Sequence, residues 1–119
     1  MMRIRKARQM LKSFADDTRL RIINLLGKQS LNVTELCEIL GTTQSNLSKH
    51  LARLRLTGVV SDRREGLNVY YNLRAPENRS HKELISVITV GLSELKVFKE
   101  DIEKLNRIKK SKKRLKSDS

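Results

Sequence analysis

Cysteine occurs once in this chain of 119 residues, at Cys37, and tryptophan not at all. A single thiol rules out an intramolecular disulfide framework and suits a reducing, cytoplasmic setting. Aromatic residues make up 3% of the chain against 38% for all apolar residues, so a core has to be built from Leu, Ile and Val. Histidine is nearly as scarce. His50 and His81 lie far apart, there is no glycine-rich phosphate loop, and no His/Cys/acid constellation marks an enzyme. No apolar run approaches the length that crosses a bilayer, so no membrane is expected among the partners. The opening MMRIRKARQM carries charge without an apolar stretch and does not read as a signal peptide.

Acid is also in short supply: 13 Asp and Glu face 26 Lys and Arg, a formal charge of +13. Such an excess attracts a polyanion, either nucleic acid or an anionic surface. Residues 109–119 hold a net +5, which leaves +8 on residues 1–108, so the folded part is basic in its own right. The length fits one domain over 1–108, followed by a basic tail over 109–119 that is expected to be disordered.

Hydrophobic spacing supplies the elements. Ile4, Ala7, Leu11 and Phe14 predict a first helix over about 3–14 with a basic outer face of Arg5, Arg8 and Lys12. Asp16-Asp17 starts a second over about 18–26, apolar almost all round and hence central, ended by Gly27. Asn32 and Glu35 form a capping-box start for a third helix with Val33, Leu36 and Leu40 inside, closed by Gly41. Thr43 then caps a fourth, in which Leu47, Leu51 and Leu54 face inward while Gln44, Ser45, Ser48 and Lys49 do not; Gly58 is its left-handed end. Two short helices around a tight glycine turn are the helix-turn-helix pattern, and the polar first turns of the second suit a DNA groove.

After Gly58 the period changes to two. Strands start near Val59 and at Val69, with Arg63-Arg64-Glu65-Gly66 as a charged hairpin tip, which makes a wing. Ser80, with Glu83 in reciprocal position, is expected to cap a long last helix over about 81–108. Its series Leu84, Ile88, Gly91, Leu95, Phe98, Ile102 and Leu105 is a heptad seam interrupted only at Gly91. A seam about three heptads long exceeds what so small a domain needs internally. The last helix, with the first, is therefore expected to form a homodimer interface. The fold class is mostly α with a small β-hairpin, a winged helix-turn-helix of four helices, a two-stranded wing and a terminal dimerisation helix.

These residues resemble the ArsR (ArsR/SmtB) family of winged helix-turn-helix repressors over about Leu11 to Leu73. LKSFADDTRLRIINLL is similar to the family's opening helices, although Asp17 stands where proline is usual. VTELCEILGTTQSNLSKHLARLRLTGVV resembles its helix-turn-helix, with the Ser48-Lys49-His50-Leu51 run, and DRREGLNVYYNL its wing. The resemblance implies a homodimer joined through the first and last helices, binding to an inverted-repeat operator in double-stranded DNA, and often release by an inducer. It places the protein in the cytoplasm, on the nucleoid.

The expected DNA-binding set is Thr43, Gln44, Ser45, Asn46, Ser48, Lys49, His50, Arg63 and Arg64. Gln pairs bidentately with adenine, Ser bonds several bases, and wing arginines meet phosphates or the minor groove. His50 reads equally as a DNA-side residue or a satisfied structural histidine. Family members that sense metalloids carry Cys-x-Cys-x-x-Cys, where this chain has Asn32, Thr34 and Cys37, so one thiolate remains per subunit. Cys37 is read first as a small buried hydrophobe and second as a thiol switch. The family's zinc-type site on the last helix would need a histidine after His81, which is absent, so no metal and no cofactor is assigned. The inducer stays open. The competing reading is a sequence-independent architectural winged helix acting through charge.

Overall fold

The computed structural model describes residues 1–118, with side chains through residue 113. Its elements, in order, are α1 (Ile4–Phe14), α2 (Asp17–Leu26), β1 (Leu31–Asn32), α3 (Val33–Leu40), α4 (Gln44–Leu56), β2 (Val60–Glu65), β3 (Asn68–Leu73), α5 (Arg79–Ser86), a π-helical turn (Val87–Gly91) and α6 (Lys96–Asp118). This is a winged helix-turn-helix. The antiparallel sheet has the order β1-β3-β2.

Helix α2 is the centre. Ile22, Ile23 and Leu25 have no exposed surface, and Leu36, Ile39, Leu47, Leu51, Leu54, Val59, Phe98 and Leu105 close around them. Each fully buried aliphatic side chain contributes about 1.5–3 kcal/mol, which fixes how α3 and α4 sit on α2.

The caps of α2, α3 and α4 fall where side-chain chemistry puts them. Asp16 accepts from Arg19 N–H at the start of α2. The Asn32–Glu35 capping box is complete, at 2.8 and 2.9 Å. Gly41 ends α3 in the left-handed conformation at φ 65°, and Gly58 follows α4 at φ 74°, both conformations that a Cβ disfavours.

Beyond the wing the structure departs from expectation. The last helix is not continuous: Val87, Ile88, Thr89 and Val90, four β-branched residues in a row, widen into the π-helical turn before Gly91, and α6 starts only at Lys96. Crowded χ1 rotamers and a glycine make that stretch the weakest place for an α-helix. The cap of α5 is Asn78, which accepts from His81 N–H at 2.9 Å, rather than Ser80. Glu83 instead pairs with Arg79 at 2.9 Å. The heptad seam splits as well. Ile88, Phe98 and Leu105 are buried in this chain's own core, while Leu95 stays exposed. Nor does α6 stop near residue 108: the helix continues to Asp118, so residues 109–118 are helical where disorder was expected, and Ser119 lies outside the described residues. Strand β1 was not expected at all; two residues carry no period.

Candidate nucleic-acid interface

The turn between α3 and α4 presents the polar start of α4. Thr43 Oγ1 accepts from Asn46 N–H at 3.1 Å, and Asn46 Nδ2 donates to Thr42 Oγ1 at 2.8 Å. Thr43 and Asn46 thus build the helix start, with Asn46 Oδ1 left to accept from outside. Gln44, Ser45, Ser48 and Lys49 are exposed, and among the described residues their side chains bond to nothing. Helical spacing splits the set into two flanks. Ser45 and Lys49 continue into Arg53. Gln44 and Ser48 continue into Arg55, whose guanidinium lies 3.4 Å from Asp62 on β2, so this second flank faces the wing.

His50 belongs to the frame. Its Nδ1 lies 3.3 Å from Arg19 Nη1 and 3.6 Å from Asp16 Oδ1. The ring nitrogen thus lies between a guanidinium that donates and a carboxylate that accepts. The ring pins the middle of α4 to the start of α2, with Arg19 also donating to Ser13 O at 2.5 Å. The structural alternative for His50 is the one the contacts favour. Asp16, expected only as a helix start, and Arg19, which no local pattern singled out, complete it.

On the wing, the turn is Gly66-Leu67, and Arg63 and Arg64 sit in β2 opposite Tyr70 and Val69. They are not at the tip as expected, and adjacent strand residues point to opposite faces. Arg63 stacks over the Tyr70 ring at 5.4 Å, bonds Glu65 at 2.8 Å and reaches Ser30 at 3.2 Å. It braces the wing on β1. Arg64 is exposed, has no partner among the described residues, and shares its face with Asp62, hence with the wing-side flank of α4. Tyr71, beneath, has its phenol pushed up by burial and then by Asp62, against a smaller opposing pull from Arg55.

Cys37 is half-buried against the core cluster. Among the described residues no three His, Cys, Asp or Glu side chains come together as a metal site. No described helix is long and apolar enough to cross a membrane.

Residues 16–62 match the profile of the bacterial regulatory protein, arsR family. The transcriptional activator HlyU of Vibrio cholerae is 41% identical over 80 residues, covering 67% of this chain and 74% of that protein. The chain belongs to the ArsR family. The transcriptional repressor PagR of Bacillus anthracis is 37% identical over 81 residues, covering 67% and 81% of the two chains. The reduced HlyU structure superposes on 77% of the ArsR-family chain described here and 90% of its own, with a TM-score of 0.64 at 37% identity. A homodimeric winged helix-turn-helix DNA-binding domain, Mb0332 of Mycobacterium bovis, covers 76% and 82% with a TM-score of 0.64 at 25% identity. As an ArsR-family member the protein is a DNA-binding transcriptional regulator, and the architectural alternative falls away.

Proposed function

We propose that this regulator is a homodimeric repressor that seats the first turns of α4 in the major groove of each half of an inverted-repeat operator. The observation that carries the reading is the unpartnered set Gln44, Ser45, Ser48 and Lys49 on a helix held from behind by Leu47, Leu51, Leu54 and His50. Donors and acceptors left without intramolecular partners, on a rigid helix, suit base edges and phosphates. Arg64 meets the backbone beside them, and Arg63 holds the wing in place. Such a protein acts in the cytoplasm, on the nucleoid, and needs no cofactor.

Apolar surface supports the dimer. Ile4, Leu11, Val87 and Val90 are exposed at 83%, 53%, 58% and 70%, on α1 and the π-helical turn. Ile4 and Val87 line one open concavity with Met2, Ala7 and Leu84, and exposed apolar surface of this kind favours association. The two-fold interface thus runs through α1 and the α5 end of the terminal helices, while most of α6 packs on its own domain. Cys37 serves the core.

Selection from a randomised duplex library should enrich an inverted repeat whose half-sites lie about one helical turn apart. Fluorescence anisotropy on that duplex should then show at least about a thousandfold preference over a scrambled one. Gln44→Ala should lower discrimination at one adenine position by about 1–3 kcal/mol. No enrichment, with equal affinity for all duplexes, would overturn the reading.

A further inference from the structure

Between α1 and α4 lies an open concavity of about 480 Å³, lined by Arg5, Arg8 and Lys12 of α1 and Arg53 of α4, with no acidic residue in its wall. Among the described residues none of these four cations has a hydrogen bond or ion pair, whereas Arg21, Arg55, Arg63, Arg74 and Arg79 each have a carboxylate partner. Four like charges around one concavity repel, and an anion would relieve that repulsion.

The placement says which anion. Helix α1 runs antiparallel to α4: Lys6 Nζ donates to Thr57 O at 2.9 Å at one end, and Asp16 and Arg19, just past α1, hold His50 at the other. Arg53 stands one and two turns beyond Lys49 and Ser45 on the same flank, so the row that begins at the groove-reading turns leads into the α1 cations. The opposite flank is bordered by the wing and Arg64. A helix in the major groove, about 12 Å wide, lies between two phosphate backbones. Arg5, Arg8 and Lys12 span about 10 Å along α1, the axial reach of about three successive phosphates of one strand. One small anion cannot meet all three.

We infer that the basic face of α1, with Arg53, grips the DNA backbone on the side of the groove opposite the strand met by the wing. The inference rests on the DNA-binding reading above and adds a second clamp to it. Helix α1 then has three faces: Met10 and Phe14 in the core, Ile4 and Leu11 toward a second copy, and Arg5, Arg8 and Lys12 toward phosphate.

The test is anisotropy across a KCl series, on the selected operator and on its scrambled counterpart. It compares the wild-type chain with an Arg5→Gln/Arg8→Gln/Lys12→Gln chain and a Lys28→Gln/Lys96→Gln/Lys99→Gln control of equal charge loss. Each lost phosphate contact lowers the slope of log K against log salt by about 0.9. The α1 chain should therefore lose about two to three units on both duplexes, with its operator preference unchanged, while the control stays within about half a unit. Arg53→Gln, alone, should lose about one unit. Equal slopes for the two triple variants would overturn the clamp. So would dissociation of the α1 variant to monomer in sedimentation equilibrium, or inorganic phosphate raising the wild-type melting temperature while the α1 variant keeps the wild-type slope. Operator preference of the wild-type chain is read separately, so its absence would sink the operator and leave the clamp to be judged by slope.

Discussion

Two pairs of helices flank the wing, each with a glycine between its members, and they are closed in opposite ways. The pair α3–α4 is closed locally. Asn32 and Glu35 satisfy each other across three residues, Thr43 caps Asn46, and Gly41 turns the chain at φ 65°. The pair α5–α6 is closed at a distance. Arg21 of α2 grips Asp101 of α6 through two bonds of 2.8 and 2.9 Å. Lys104 donates to Ile39 O of α3, and Lys112 bonds Glu35, whose other oxygen serves the capping box. One pair carries its own punctuation; the other takes its shape from the elements it lies on.

Breaking a distant tie should cost more than breaking a local one. Asp101 is 1% exposed and its partner Arg21 21%, so Asp101→Ala leaves a half-buried guanidinium without its carboxylate. Breaking a fully buried pair costs about 3–5 kcal/mol, and Arg21's partial exposure brings the expected loss to about 2–3 kcal/mol in urea unfolding. A loss below about 0.5 kcal/mol would show that α6 is held by packing alone.

The two glycines should answer the same substitution with opposite signs. Gly41→Ala meets no atom within 4 Å, so only the left-handed backbone resists it, at about 1–2 kcal/mol. Gly91→Ala has Ser86 O at 3.9 Å and no positive φ, and should stabilise by up to about 0.5–1 kcal/mol through the unfolded chain. Matching signs in thermal melts would erase the distinction.

The smallest effect concerns pH. His81 is buried in α5, its Nδ1 facing Glu77 N–H; burial, opposed by Glu77 and aided more weakly by Lys6 and Arg74, holds its pKa below the ordinary 6.5. The unfolded chain then binds a proton that the folded chain refuses. Stability from this group is complete above about pH 6.5 and is lost as pH falls through that value. The urea midpoint of the wild-type chain should drop more between pH 7.5 and 5.5 than that of His81→Leu, with both pH values chosen to bracket about 6.5.

The same contrast explains what could be read before the structure was in hand. Thr43, Asn32, Glu35, Gly41 and Gly58 have their partners, or their conformational reason, within a few residues, so the helix-turn-helix was legible. Glu83 three residues past Ser80 made Ser80 look like the cap, whereas Asn78, two residues earlier, takes that place. Arg63 reads as a free cation until the register sets Tyr70 opposite it. His50 stayed ambiguous because Asp16 and Arg19 stand more than thirty residues away, at a separation of 31 for the arginine. The break after Ser86 had a visible cause in four consecutive β-branched residues, but the heptad spacing across them outweighed it.

The division within α4 bears on how such proteins diversify. What holds the helix is Leu47, Leu51, Leu54 and the His50 tie; what it shows the outside is Gln44, Ser45, Ser48 and Lys49, which bond to nothing among the described residues. Substituting an exposed, unpartnered side chain usually changes stability by no more than about 0.5 kcal/mol. Four adjoining positions can therefore drift almost without penalty to the fold. A gene copy could acquire a new operator in a few steps while keeping its wing and its core.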